Sequence, residues 1–285
     1  MKKDLAALIE SVMPTLSKGK KKIAQTVLTD YDKVAYMTAA KLSEMVGVSE
    51  STVVRFAIEL GYDGYPEFQH AVQELVRAKL TPNQRIRIAE ERLIGANPIE
   101  NVMTSDAEKI KYTMHSIDRA AFSAAVDAIV SAENVYIFGV RSSAFLAGFF
   151  NFNLGMIQDN VRLIQPTSSS EVFEQILGIG KRDVLIAISF PRYSAKIVNA
   201  LKYARSRNAT IIALTDSVQS PLAEHAHCLL TAQSDMASFV DSLVAPLSII
   251  DALLVAVTQR RGDEVRERFD RLERVWDEYD VYAKN

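Results

Sequence analysis

Cysteine is almost absent from the sequence, which contains only Cys228. A single cysteine excludes an internal disulfide framework and a cysteine-rich zinc finger, and it is typical of a reducing compartment. Long hydrophobic runs are also missing, because Pro246 and Asp251 interrupt the longest apolar stretch, 243–257, which is shorter than the roughly 20 residues of a membrane span. The first 30 residues show neither the apolar core nor the cleavage site of a signal peptide. These absences predict a cytoplasmic protein with no membrane partner.

An excess of charge of one sign is missing as well. The 285 residues include 33 Lys and Arg against 35 Asp and Glu, which gives a net charge of −2 at pH 7. This length is about twice that of a typical domain, so two domains are predicted and the average charge can conceal a local patch. Four lysines fall within residues 18–22, a run that on its own is typical of a solvated helix face.

The stretch 38–60 has the spacing of a helix-turn-helix, with a short helix, a turn that contains glycine and a second helix. Thr38 is the predicted N-cap of the first helix, and Ser49 is that of the second. Gly47 permits the sharp turn, and Ser43 is small enough for the two helices to cross closely. The pattern predicts that the second helix is a recognition helix, which enters the major groove of DNA.

Short polar side chains and one arginine cluster at the start of the recognition helix. Arginine reads guanine in the major groove, and Ser or Thr contacts several bases. The lysine run lies at the predicted start of another helix, where cations oppose the helix dipole and contacts with phosphates would compensate. The predicted DNA-binding residues are Lys20, Lys21, Lys22, Thr38, Ser49, Glu50, Ser51, Thr52 and Arg55. The alternative is a small helical bundle that docks onto another protein.

The segment 38–69, TAAKLSEMVGVSESTVVRFAIELGYDGYPEFQ, resembles the DNA-binding domain of RpiR-type (MurR/RpiR) bacterial transcriptional regulators. The resemblance covers about residues 1–77. It includes the glycine and aromatic residues after the recognition helix, which generic helix-turn-helix proteins lack. It implies a double-stranded DNA operator as the partner, and repression as the commoner mode of action.

From residue 106 onward, short β-branched runs alternate with helical stretches. Ser105 and Glu108 form a capping-box pattern at the start of the first helical stretch. Strands and helices that alternate at this spacing predict a doubly wound parallel sheet, with ligands beyond the carboxyl ends of the strands. The strand candidates are Val135–Phe138, Val161–Ile164, Val184–Ser189, Thr210–Leu214 and His227–Leu230, and helices are predicted around 143–158, 170–178, 194–207 and 219–224.

Two of the predicted strand ends carry hydroxyl groups and an arginine. A turn at the start of a helix points backbone N–H groups at an anion or at sugar hydroxyls, and arginine neutralises a phosphate or a carboxylate. We predict that these residues bind a small anionic metabolite, such as a sugar phosphate. They are Arg141, Ser142, Ser143, Ser189, Arg192 and Ser194. The alternative is that the serines only cap the helices that follow, as is predicted for 168–170 at another strand end.

The region 106–262 resembles the sugar isomerase (SIS) domain, which RpiR-type regulators join to their helix-turn-helix. The first loop of that family reads G-x-G-x-S; Gly139 and Ser143 match it, while Arg141 replaces the second glycine. The phosphosugar loop of the family reads S-x-S-G-x-T. The corresponding loop here, SFPRYS, has proline and arginine in place of the central serine and glycine. These replacements remove a hydroxyl and a site of close backbone approach, and they favour an anionic metabolite that arginine neutralises.

SIS domains also occur in phosphosugar isomerases, which need a base beside C1 and C2 of the sugar. Glu171, Glu174 and Asp241 are acids placed to lie near the pocket, but no His or Lys completes a catalytic set. His225 and His227 are spaced to share one face of a strand, yet two ligands do not make a metal site. The sequence therefore predicts no catalytic residue, no metal and no cofactor. A sugar-phosphate isomerase with an appended helical domain is the alternative.

Two helices are predicted after the last strand. The stretch 237–258 is apolar on most sides, which is typical of a helix buried in a domain or in a subunit interface. The tail 263–282 is dense in charge but carries one apolar stripe, formed by Val265, Phe269, Leu272, Trp276 and Tyr279. This part is predicted to join a homodimer or homotetramer, or the tail docks onto its own domain.

Together these patterns predict an all-α helix-turn-helix domain over 1–79, a linker over 80–105, and a C-terminal amphipathic helix over 263–285. Between the linker and this helix, an α/β doubly wound parallel-sheet domain of the SIS type is predicted over 106–262. The predicted function is that of a DNA-binding transcriptional regulator whose SIS domain senses a small anionic metabolite.

Overall fold

The computed structural model describes residues 5–79, 81, 83–87, 97–236 and 239–282. The chain divides into two compact units, Met1–Arg85 and Ile86–Asn285. The division falls within the predicted linker, and positions 98–105 of that linker already belong to a helix of the second unit.

The described residues of the first unit form helices and no strand. Phe56 and Phe68 are fully buried at its centre, and their rings meet edge to face with centroids 5.6 Å apart. Tyr65 donates a hydrogen bond to the Met37 carbonyl (2.7 Å), and burial raises the pKa of Tyr65 to about 12. The aromatic residues after the predicted recognition helix therefore anchor the helix Tyr65–Lys79. The helices are α1 (Leu5–Val12), α2 (Lys18–Thr29), α3 (Tyr31–Val34), α4 (Ala39–Val46), α5 (Glu50–Glu59) and α6 (Tyr65–Lys79).

In the second unit, α7 (Pro98–Ser116) and α8 (Arg119–Ser131) precede the sheet. The predicted helix start at the Ser105 capping box is wrong, because α7 begins at Pro98, seven residues earlier. Asn97 caps this earlier start by accepting a hydrogen bond from the Ile99 amide (3.0 Å), and proline suits the first position of a helix. Ser105 lies inside α7, where its hydroxyl accepts a hydrogen bond from Lys109 Nζ (2.7 Å).

The predicted parallel sheet is confirmed. It has five parallel strands in the order β2-β1-β3-β4-β5, and each strand ends within one residue of its predicted limits. The strand order reverses between β1 and β3, which is the point where doubly wound sheets bind ligands. The strands are β1 (Val135–Gly139), β2 (Val161–Ile164), β3 (Val184–Ile188), β4 (Thr210–Thr215) and β5 (Cys228–Thr231), with α9 (Ser143–Ile157), α10 (Ser169–Gln175) and α11 (Ala195–Ser206) between them.

Helices cover both faces of the sheet because the side chains of each strand alternate between two apolar cores. Val135 and Ile137 of β1 pack with α8, α9 and the C-terminal helices, whereas Tyr136 and Phe138 pack with α10 and α11. A 3-10 turn at Ala223–His225 replaces the short helix predicted near 219–224.

The C-terminal helices are α12 (Val244–Arg261) and α13 (Asp263–Glu278). The predicted start of the first of them at position 237 is wrong, because residues 239–243 are not helical and positions 237–238 lie outside the described residues. Pro246 explains the later start, since proline is tolerated in the first turn of a helix but not in its interior. Val265 is buried and Phe269 packs against the core, so part of the tail stripe docks onto its own unit. Across the described residues, no helix combines the length and apolarity that crossing a membrane requires.

Candidate DNA interface and effector site

The helix-turn-helix forms through the local signals expected for it. The Thr38 hydroxyl accepts a hydrogen bond from the Lys41 amide (3.2 Å), and Ser49 accepts one from the Thr52 amide (3.3 Å). Gly47 ends α4 in the left-handed conformation, with φ 71° and ψ 47°. A side chain at this position would be strained, so glycine sets the sharp angle between α4 and α5.

The start of α5 presents polar groups to solvent. Glu50, Ser51 and Arg55 are exposed, whereas Val53 and Phe56 on the opposite face are fully buried. The Ser49 hydroxyl lies 3.0 Å from the Ser51 hydroxyl and 2.8 Å from that of Thr52. The predicted base-contacting hydroxyls therefore form one cluster at the N-terminus of α5, and Arg55 lies one helical turn further along.

The lysine run lies at the start of α2, which packs against α5, the predicted recognition helix. A β-carbon on Gly19 would lie 3.4 Å from Val48 and 3.9 Å from Thr52, which are ordinary contact distances, so Gly19 lies in contact with these two residues. The ammonium of Lys20 pairs with the Glu59 carboxylate in the last turn of α5.

Two lysines of the run are placed differently from Lys20. Lys21 and Lys22 are exposed, and neither forms an ion pair within the part of the chain that the structure describes. The geometry thus leaves Lys21 and Lys22 available for phosphates and engages Lys20 in an intramolecular contact.

The first loop of the predicted effector site follows β1 and approaches its own helix closely. A β-carbon on Gly139 would lie 2.3 Å from the Ser143 carbonyl oxygen, so only glycine fits at this position. Arg141 adopts a left-handed conformation with φ 57°. Ser143 is buried at the start of α9, and Ser142 occupies the N-cap position without a capping hydrogen bond from its side chain.

The second loop follows β3 and repeats this arrangement. Ser189 is buried, Arg192 is exposed with φ 69°, and Ser194 occupies the N-cap position of α11 without a capping hydrogen bond from its side chain. Tyr193 donates a hydrogen bond to Asp216 Oδ1 (2.8 Å), which ties this loop to the end of β4. Neither residue of this contact has a predicted role, although an acid directly after a strand is a visible signal.

Both loops leave the same edge of the sheet side by side. β1 and β3 are neighbours, and Gly139 lies opposite Ile188 in their register. Arg141 and Arg192 stand at the two positions where the SIS motifs have glycine, and both retain the backbone conformation that favours glycine. A left-handed conformation costs an ordinary residue roughly 1–2 kcal/mol, and such strain clusters at functional sites.

Helix capping accounts for the serine after β2, Ser168, but not for the serines after β1 and β3. Ser168 accepts a hydrogen bond from the Glu171 amide (3.4 Å), whereas neither Ser142 nor Ser194 caps its helix. The hydroxyls at the β1 and β3 ends are therefore not engaged as caps.

Glu171, considered above as a catalytic acid, and His227, considered as a metal ligand, have structural contacts. Glu171 accepts two hydrogen bonds from Thr167, each 2.6 Å long, and these hold the pKa of the Glu171 carboxyl below its usual range. A lowered pKa is the wrong direction for a general base that works near neutral pH. His227 Nδ1 accepts a hydrogen bond from the Ile211 amide (2.9 Å). Among the described residues, no three His, Cys, Asp or Glu side chains gather as metal ligands would.

The close approach at Gly139 gives a direct test of the first loop. Gly139→Ala is expected to lower the free energy of unfolding by about 1–3 kcal/mol, because the new methyl group overlaps a backbone oxygen that cannot rotate away. Thermal unfolding measures this change. Gly178→Ala is the control, since a β-carbon there meets nothing within 4 Å. Equal melting temperatures for the two variants would contradict the described packing of α9 on β1.

Comparisons with known proteins match both units. A family model for the helix-turn-helix domain of the rpiR family matches residues 3–79, and the SIS domain model matches residues 128–256. The HTH-type transcriptional regulator HexR of Escherichia coli is 28% identical over 274 residues, which cover 93% of this chain and 91% of that protein. HexR of Pseudomonas aeruginosa is also 28% identical, over 95% of this chain and 94% of the relative.

Solved structures agree with the fold. The sugar isomerase domain of an RpiR transcription factor from Sphaerobacter thermophilus superposes with a TM-score of 0.58 at 27% identity, covering 61% of this chain and 97% of that chain. The Vibrio vulnificus NanR protein, solved with ManNAc-6P, superposes with a TM-score of 0.61 at 20% identity. That comparison covers 98% of this chain and all of NanR, and it supports the fold.

Proposed function

Because the chain joins an rpiR-family helix-turn-helix to a SIS domain and so belongs to the RpiR-type DNA-binding transcriptional regulators, we propose that a small anionic metabolite controls its binding to DNA. The metabolite binds where the β1 and β3 loops meet. The observation that carries this proposal is the pair of arginines, Arg141 and Arg192, held in strained conformations at adjacent strand ends.

The ligand class follows from the groups at this edge. Two helices begin there, and their N-termini favour negative charge. Ser142 and Ser194 have hydroxyls that no cap engages, and exposed guanidinium groups accompany them. Arginine binds phosphate and carboxylate through paired hydrogen bonds. A sugar phosphate, the class of ligand present in the NanR structure, or a related sugar acid fits these groups.

The DNA-bound surface is the exposed start of α5 together with the start of α2. In the proposed complex, Arg55 and the Ser49, Ser51 and Thr52 hydroxyls contact base edges in the major groove, with Glu50 beside them. Thr38, Lys21 and Lys22 contact the phosphates, which position the protein on the duplex without reading its sequence, while Lys20 stays paired with Glu59. We propose repression as the mode of action, with the metabolite releasing the operator.

The second unit is proposed to hold a homodimer or homotetramer together. A two-fold axis places two recognition helices about one turn of DNA apart, or a multiple of it, and favours a palindromic operator. In this proposal the effector domain extends the predicted 106–262 back to Pro98, so the linker of 80–105 ends before α7, and the helix in the predicted C-terminal region 263–285 ends at Glu278.

A sugar-phosphate isomerase is the rival function. The ionised, hydrogen-bonded state of Glu171 weakens it, and the curated relatives reported above are named regulators. Selection from random duplexes followed by fluorescence anisotropy at physiological salt tests the proposal. A defined duplex that binds, together with no turnover of any sugar phosphate, is expected; turnover without selective binding to DNA would refute the proposal.

The lysine contacts predict a distinctive salt dependence. Lys21→Ala is expected to weaken binding to every duplex alike and to reduce the slope of log K against log salt by about 1. Lys181→Ala is the control, because it removes an exposed charge from the second unit. Anisotropy titrations over a range of salt concentrations measure both. An unchanged slope for Lys21→Ala would exclude a phosphate contact at this position.

A further inference from the structure

Helix α9 has two apolar faces, and the second unit covers only one of them. Leu146, Phe150 and Leu154 are buried against the sheet. On the opposite side, Phe145 is 79% exposed and Phe152 is 68% exposed, with Phe149 at 40% between them. Positions 145, 149, 152 and 156 are spaced by four, three and four residues, so they line one face of the helix, which we call the α9 aromatic stripe.

The α9 aromatic stripe is too apolar for a surface that stays in water. Phenylalanine side chains of about 200 Å² with these exposures present roughly 370 Å² of apolar surface. Large exposed apolar patches of this size mark interaction sites. A standard protein interface buries about 800 Å² on each partner, so the stripe supplies close to half of what a stable dimer needs.

The absence of charge on α9 indicates what kind of partner covers it. None of its 15 residues, SAFLAGFFNFNLGMI, carries a charge. A two-fold interface sets the same surface against itself, and a charged surface would then bury like charges together. An uncharged helix avoids this repulsion, so the stripe suits a second copy of this chain.

The end of α9 offers a groove that complements its start. Met156, Leu254, Val255 and Phe269 line an apolar cavity of about 360 Å³ beside the last turn of α9. In an antiparallel pair of α9 helices, Phe145 of one protomer lies opposite the partner's Met156 and therefore at this groove. The two-fold axis generates a second copy of this contact. The Phe145 ring of each protomer therefore meets the groove of the other, and the surface is complementary to itself.

We propose that the α9 aromatic stripe is the homodimer interface, with the two α9 helices antiparallel. This assignment rests on the proposed homo-oligomer of the second unit, and it names the surface that forms it. The interface starts two residues beyond Ser143, so dimer contacts adjoin the loop proposed to hold the metabolite.

Sedimentation velocity of the full chain at micromolar concentration tests the proposal. The wild type is expected to be a dimer, and Phe152→Glu is expected to shift it to a monomer, with at least a tenfold increase in the dimer dissociation constant. Leu177→Glu is the matched control, because Leu177 is also 68% exposed but lies beyond α10. Circular dichroism melting shows whether Phe152→Glu remains folded.

A crosslink tests the antiparallel arrangement by trapping the dimer covalently. Positions 145 and 156 of one chain are about 16 Å apart along the helix, too far for a disulfide within one protomer. Phe145→Cys combined with Met156→Cys is therefore expected to give covalent dimers on oxidation, and neither single variant is expected to match that yield. The native Cys228 does not compete, because it is buried and burial raises the pKa of its thiol.

The possible failures are distinguishable. A monomeric wild type would refute both this interface and the proposed oligomer. A dimeric wild type whose Phe152→Glu variant stays folded and dimeric would refute the interface alone. Loss of the dimer in both Phe152→Glu and Leu177→Glu would also count against it, because the effect would not be confined to α9.

Discussion

Arg192→Gly is expected to abolish the response of DNA binding to the metabolite, while folding and DNA binding without the metabolite stay close to wild type. Arg192 has φ 69° in the loop after β3, and its side chain is exposed. Glycine adopts this backbone conformation without strain, so the substitution removes the charge and leaves the loop geometry intact. Relief of strain and the greater flexibility of glycine in the unfolded chain oppose each other, so the melting temperature is expected to change by only a few degrees.

The measurement is anisotropy of a selected duplex, titrated with the metabolite that acts on the wild type. Asn208→Gly is the matched control, because Asn208 has φ 61° but precedes β4 at the other end of the strands. Arg192→Lys keeps the charge and loses the paired hydrogen bonds, so a partial response is expected. If Arg192→Gly responds as the wild type does, Arg192 lies outside the effector site.

Arg55→Ala is expected to reduce affinity for the selected duplex by about 1–3 kcal/mol, roughly 5- to 150-fold in Kd. The exposed guanidinium of Arg55 follows the hydroxyl cluster at the start of α5, where an arginine reaches guanine in the major groove. Affinity for random duplexes is expected to change far less. Competition binding with a set of single-base variants of the operator measures both quantities.

Loss of discrimination at one position of the operator would identify the base that Arg55 contacts. Lys21→Ala is the comparison, because it is expected to weaken specific and random duplexes equally. If Arg55→Ala also weakens both equally, Arg55 contacts phosphate and does not read a base.

The strands were predictable because they are short apolar runs, most of them rich in β-branched residues, that alternate with helical stretches. The start of α12 was not predictable in this way, because the apolar run continues upstream of Pro246. Only the proline marks where the helix can begin. The start of α7 was missed for a related reason: Pro98 lies inside the predicted linker 80–105, although proline favours the first turn of a helix.

The candidate site was predictable in its residues but not in its geometry. Loop composition and the SIS motifs indicated Arg141 and Arg192, yet a left-handed conformation is uncommon for arginine and no local pattern predicts it. The contact between Tyr193 and Asp216 joins two strand ends across 23 positions, so periodicity could not reveal it. The exposed face of α9 was hidden in the same way, because an apolar helix does not show from its sequence which side the fold covers.

Control of DNA binding by an anionic metabolite is tested by a titration of the wild-type chain bound to its selected duplex. The titrants are a panel of sugar phosphates, sugar acids and their neutral parent sugars. We expect that at least one anionic sugar changes the Kd for DNA tenfold or more, and that its neutral parent has no effect. Equal action by the neutral parent, or no effect from any anionic member of the panel, would contradict control by an anionic metabolite.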